Sequence, residues 1–110
     1  LITTGTALAT ENFENTVPYG FVLLQNFPNP FNPVTSISYH LMSVSTVAIT
    51  IYDLMGNVVN NLFSGIEGPG YKNINWDATN NSGDLVSSGM YFYKLQVGES
   101  FEIKRMMYLK

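Results

Sequence analysis

The sequence predicts an all-β fold: a seven-stranded antiparallel β-sandwich preceded by an extended N-terminal arm. Three observations carry this. Strand-favouring Tyr, Phe, Val, Ile and Thr are abundant, while only 12% of the 110 residues are charged, about half the usual share. Apolar residues alternate with polar ones in short runs, and no segment holds a helical period. Turn-forming clusters of Gly, Pro, Asn and Asp recur about every ten residues, the spacing of sandwich strands. The length suits one domain, and a 45% hydrophobic content is enough for a core.

Residues 1–20 read as the arm or linker and residues 21–110 as the domain. The first twenty are rich in Thr and small residues, yet Leu1, Ile2, Leu8, Phe13 and Val17 exceed what a solvated linker needs. An arm that adds a strand to a neighbouring sheet edge, and so makes a homo-oligomer, is one physical option. The segment lacks a basic stretch followed by an apolar run, so no secretory signal is read there. An exported chain is then expected to have its signal removed or carried on a longer precursor.

Phe21–Gln25 is a short first strand. It leads into Gln25-Asn26-Phe27-Pro28-Asn29-Pro30-Phe31-Asn32-Pro33. Prolines fix φ and lack an N–H, and asparagines close turns on their own backbone. The segment is expected to be a stiff corner with Phe27 and Phe31 as core anchors. Thr35–Leu41 alternates, with Ile37, Tyr39 and Leu41 on one face. Val47–Tyr52 follows with Val47, Ile49 and Ile51 inward. The short Ser43-Val44-Ser45 between them reads as a turn between antiparallel neighbours. Asp53–Asn57 is a hairpin connection with Gly56 at positive φ. Val58–Phe63 is a strand of undecided face, and Ser64–Gly70, with three glycines and a proline, a loop. Tyr71–Trp76 sets Ile74 and Trp76 on one face, Trp76 being the anchor between the sheets. After the polar loop Asp77–Gly89, Met90–Val97 carries the stripe Tyr91, Tyr93, Leu95 and Val97. Gly98-Glu99 turns into Phe101–Leu109, whose alternation falters at Lys104-Arg105, where a β-bulge is expected.

Catalytic chemistry finds little support. His40 is the one histidine; Ser36 and Ser38 share its strand face, but residues two apart on a strand lie about 7 Å apart and no acid orients the ring. It reads as a surface histidine. Asp77, Thr79, Asn81 and Asp84 offer oxygens at the spacing of a calcium loop, but the EF-hand pattern fails: Gly83 comes one place late and no glutamate closes the loop. An Asx turn with Asp77 and Asn81 accepting backbone N–H groups is the simpler reading. Tyr19, Tyr52, Tyr71, Tyr91, Tyr93 and Tyr108 would suit a carbohydrate-stacking surface only if exposed in a row; strand packing explains them better. A net charge of −3 and few clustered cations oppose a nucleic-acid footprint. The absence of cysteine removes thiolate metal sites and disulfides, and no run approaches a membrane span. No cofactor is expected.

Several blocks, in order, carry a resemblance. Leu23–Pro33 resembles the opening motif of the type A C-terminal sorting domain of the type IX secretion system. Val47–Val59, Gly70 with Trp76-Asp77, Gly83–Leu95, and Lys104–Met107 with Lys110 are similar to its later blocks. The similarity spans residues 21–110; related Ig-like domains of flagellar hook-capping proteins are less similar in the proline corner. The resemblance implies an Ig-like sandwich that works as an address label and not as an enzyme. Such a label belongs to proteins of Bacteroidota and related bacteria exported through the periplasm to the cell surface or medium. Its implied partners are the outer-membrane translocon and a processing protease, with cleavage expected in the 1–20 linker. An open sheet edge with a basic last strand is the expected contact, through Lys104, Arg105 and Lys110. The alternative is a self-assembling extracellular filament or tube whose arm packs on the next subunit.

Overall fold

A computed structural model describes residues 20–110. The expectations about an arm over residues 1–20, its docking and its cleavage, and the position of Tyr19, fall on residues outside those described, apart from Gly20. Seven strands follow one another: β1 (Phe21–Leu23), β2 (Thr35–Leu41), β3 (Ser45–Tyr52), β4 (Val58–Glu67), β5 (Gly70–Trp76), β6 (Gly89–Val97) and β7 (Ser100–Tyr108). They form two antiparallel sheets, β1-β2-β5 and β4-β3-β6-β7. The alternation is the cause of the stacking. Ile37, Tyr39 and Leu41 of one sheet and Val47, Ile49, Ile51, Tyr93 and Leu95 of the other are buried between the layers. Trp76, 1% exposed, packs among Phe31 (ring centroids 5.7 Å) and Tyr91 (5.5 Å, edge-on). Its Nε1–H donates to the Thr79 carbonyl at 2.8 Å. The Tyr91 hydroxyl donates to the Ser87 carbonyl four residues upstream, in the manner of the tyrosine corner of Ig-like sandwiches.

Several expectations are corrected. The turn before β3 does not join neighbours in one sheet: β2 pairs with β1 and β5, and β3 with β4 and β6. Three exposed residues, Met42–Val44, cross from layer to layer, a gap of about 10 Å that such a link can span. The first strand ends at Leu23 and not Gln25, because the next residues turn to build the corner. Ser64–Glu67 is strand and not loop: β3 offers Ser45–Ala48 as its ladder partner. Gly65 suits this, since a Cβ there would stand 3.3 Å from the Phe63 ring, which lies over the glycine. The bulge expected in β7 is absent, the β6–β7 register running unbroken from Gly89↔Tyr108 to Val97↔Ser100. The irregularities lie in β3–β4 instead, between Ile49 and Thr50 and between Ile51 and Tyr52. Each resets the phase of β4, which is why its face cannot be read from alternation. Gly56, at φ +89°, sits in the β3–β4 turn as expected.

Candidate functional site

The proline corner builds one side of the site. Phe31 is 2% exposed and stacks on Tyr108 at 5.2 Å, whereas Phe27 is 78% exposed and anchors nothing. The reason lies in the backbone. Phe27 exchanges both of its main-chain bonds with Ser36, which turns its ring outward and turns Asn26 in. The N–H and both side-chain polar atoms of the buried Asn26 find partners. Its N–H donates to Tyr93 Oη (2.8 Å), its Nδ2 to Thr35 Oγ1 (2.9 Å) and the Pro28 carbonyl (3.2 Å), and its Oδ1 accepts from Gln25 Nε2. Tyr93 Oη in turn donates to the Leu24 carbonyl at 2.9 Å. Burial pushes the Tyr93 hydroxyl up to about 12, against the lowering effect of the Asn26 N–H. Across the sandwich, the Tyr39 hydroxyl donates to Glu67 Oε1 at 2.6 Å, tying β2 to β4. Burial first, then this bond and the carboxylate charge, hold Tyr39 far above the ordinary tyrosine range.

The corner also covers half of an edge. β7 is the last strand of its sheet, so one row of its peptide groups faces away from β6. In the second half of β7 that row is taken. The Arg105 carbonyl accepts from Gln25 Nε2 (2.8 Å), and the Met107 N–H donates to Asn29 Oδ1 (2.9 Å). The Met107 carbonyl accepts from the Phe31 N–H, and the Leu109 N–H donates to the Phe31 carbonyl. The same alternation directs the peptide groups of Phe101 and Ile103 and the N–H of Arg105 outward. Phe101 and Ile103 pair only with β6 among the described residues. The open stretch is about 14 Å long, at 3.4 Å per residue.

The outer face beside this stretch is apolar. Phe101 and Ile103 are exposed. With Tyr52, Gly56, Phe92 and Lys94 they line a shallow groove of about 450 Å³. The Lys94 ammonium stands 5.8 Å from the Tyr52 ring centre and 5.3 Å from that of Phe101. The registers place Arg105 beside Phe92 on this face and Lys104 on the other, opposite Tyr93. Among the described strand positions on the outer face of the four-stranded sheet, Lys94 and Arg105 are the only charged residues.

The expected contact residues therefore separate. Lys104 turns toward the inner side and pairs with Glu102 at 3.5 Å. Lys110 lies past the end of β7, its N–H on Ser88 Oγ. Arg105 alone lies on the face that holds the groove, next to Phe92, while Lys94 is the cation that lines the groove itself. Reasoning from sequence missed Lys94, Tyr52, Phe92, Phe101 and Ile103. A signal existed: in β7 the outward positions Phe101 and Ile103 are apolar while Glu102 and Lys104 are charged, the reverse of a solvated sheet face.

The polar loop after β5 is occupied by its own turn. Asn80 Oδ1 accepts from the N–H groups of Ser82 and Asp84, the role expected of Asp77, whose Oδ1 accepts from the Thr79 hydroxyl instead. Asn81 does accept a backbone N–H, from Asn61 of β4. No group of three or more His, Cys, Asp or Glu residues gathers at metal-binding distance among the described residues. His40 stacks on the exposed Tyr71 at 4.1 Å, and its flanking Ser36 and Ser38 bond to Asn75 and Asn73 across β2–β5. Tyr91, Tyr93 and Tyr108 are core residues.

The fold is shared with two parts of larger proteins. Dimeric latent PorU from Porphyromonas gingivalis superposes with a TM-score of 0.64 at 23% identity, over 81% of this chain and 9% of that one. PorZ, an essential bacterial surface component of the type IX secretion system of Porphyromonas gingivalis, superposes at 0.55 with 18% identity, over 78% and 11%. The chain thus spans about a tenth of the length of either, and at such identity the likeness is one of fold. No curated protein sequence is a match. The model of the FlgD Ig-like domain matches residues 34–100, beginning directly after the proline corner. With well over half its length so matched, and with the two-sheet architecture in place, the chain belongs to the FlgD Ig-like domain family.

Proposed function

We propose that the chain is a type A C-terminal sorting domain of the type IX secretion system, which directs export to the cell surface or medium by being bound. The observation that carries this reading is the fold shared with part of PorZ, a surface component of that system. The proline corner adds to it. The block that most resembles the sorting motif does not hang from the sandwich as a tag; it is hydrogen-bonded into β2, β6 and β7. A label of this kind is recognised as a folded surface, so its signal depends on the whole sandwich. The outer-membrane translocon is the partner, a processing protease acts on the preceding linker, and the domain contributes no catalysis. Arg105 is the basic residue of the last strand best placed for the contact.

The test is an export assay. Residues 1–110 are fused behind a periplasmic reporter enzyme and expressed in a bacterium with a type IX system and in its translocon mutant. Reporter on the surface or in the medium of the first strain only is the expected outcome. Reporter held in the periplasm of both strains would sink the reading.

A further inference from the structure

We infer that the free half of the β7 edge, with the groove beside it, takes an extended acidic segment of a partner protein as an added antiparallel strand. The inference rests on the sorting reading for the partner's identity and on four observations for its chemistry. First, Phe101, Ile103 and the Arg105 N–H present ladder groups that are unpaired among the described residues, in a gap below the proline corner, which blocks the rest of the strand. One incoming strand of about five residues fits such a gap; a broad second sheet would meet the corner. Second, strand addition draws affinity from main-chain bonds and specificity from alternate side chains. Here the alternate positions are Phe101, Ile103 and Arg105, which call, along an antiparallel strand, for a carboxylate opposite Arg105 followed by two apolar residues, each separated from the next by one residue. Third, the face is electropositive within a chain of net charge −3, because Lys94 and Arg105 are its only charged strand residues among those described. Fourth, the outer side of this edge is not guarded. Glu102 and Lys104 set the charges of a protected edge on its inner side, whereas on the outer side two exposed apolar side chains precede Arg105 and Lys94 sits one strand inside, over aromatic rings. The opposite edge, on β4, differs: Glu67 lies at its open end, and its other end is bonded to Asn81.

The experiment uses the isotope-labelled full chain and two synthetic probes. One is a capped octapeptide with glutamate, valine and phenylalanine at positions 2, 4 and 6, which share one strand face, and threonine elsewhere; the other carries lysine in place of the glutamate. Amide shifts are followed by NMR during titration. The acidic peptide is expected to shift Phe101–Arg105 and Lys94, and the basic peptide to leave them unmoved. Lys94→Glu with Arg105→Glu is expected to weaken acidic-peptide binding roughly tenfold or more. Ile103→Pro, which deletes an outward N–H and leaves the β6 ladder intact, is expected to abolish it. Equal binding of the two peptides, shifts centred on β4 or the three-stranded sheet, or full affinity in Ile103→Pro would each overturn the inference. The same variants go into the export reporter. Export of the wild type and not of the variants is expected. Equal export of all overturns the inference and leaves the sorting reading standing; failure of the wild-type fusion overturns the sorting reading, and the peptide titration then decides the surface alone.

Discussion

Two phenylalanines in one nine-residue segment have opposite fates, and the difference is measurable. Phe31 fills the space between Trp76 and Tyr108, so Phe31→Ala should cost about 3–5 kcal/mol. Phe27→Ala, at an exposed site, should stay within about 0.5 kcal/mol. Urea unfolding of both variants checks the pair. Tyr93 offers a second test. Its hydroxyl serves the Asn26 N–H and the Leu24 carbonyl, so Tyr93→Phe leaves buried groups unpaired and should cost about 1–3 kcal/mol. Its ionisation has a defined sign. The folded pKa, about 12, lies above the unfolded value near 10. Below pH ~10 both states keep the proton and the contribution is complete. Between about 10 and 12 only the unfolded state releases it, so stability falls as pH rises, by ~2 kcal/mol for this group. Tyr39 and Tyr91 are pushed the same way. Unfolding free energies at pH 9, 10 and 11 should therefore decline in the wild type and less steeply in Tyr93→Phe; parallel slopes would show that Tyr93 is not the group responsible.

At the scale of elements, the corner and the last strand act together. Asn29 is the clamp, accepting the Met107 N–H from across 78 positions of sequence. Asn29→Ala should cost about 0.5–1.5 kcal/mol. It should also raise hydrogen exchange at the Met107 amide, leaving the β6–β7 ladder amides protected. Unchanged exchange at Met107 would mean that the clamp is not what covers this edge. The strands themselves were largely legible. Thr35–Leu41 and Gly89–Val97 alternate cleanly because one face of each is core. β4 was not legible beyond Phe63: glycine at 65 and two register shifts mask its period, and only the ladder offered by β3 makes Ser64–Glu67 a strand. In β7 the break in alternation was visible, but its cause was misread as a bulge. The period is intact, and what changes is the outer face, which turns apolar where the groove lies.

For the molecule as a whole, Trp76 is where both sheets, the corner and the β5–β6 loop meet. Trp76→Ala should lose about 3–5 kcal/mol. A domain of this size has roughly 5–15 kcal/mol to lose, on the order of 0.1 kcal/mol per residue. The variant should therefore melt far lower, and its export in the reporter assay should fail with its fold. An unchanged melting temperature would remove Trp76 from the core. What residues determined by themselves is whatever depends on near neighbours: which segments extend, which side of most strands is apolar, where Gly56 and Gly98 turn the chain, and the stiffness of the proline corner. Pairing is not local in that sense. A period of two says which residues share a face and nothing about which strand lies alongside, so only the tertiary structure decided that β2 and β3 belong to different sheets. For the same reason it alone decided the site. Lys104 and Arg105 are adjacent in sequence and on opposite faces in space, while Lys94 and Arg105, eleven positions apart, are brought to one face by the β6–β7 register.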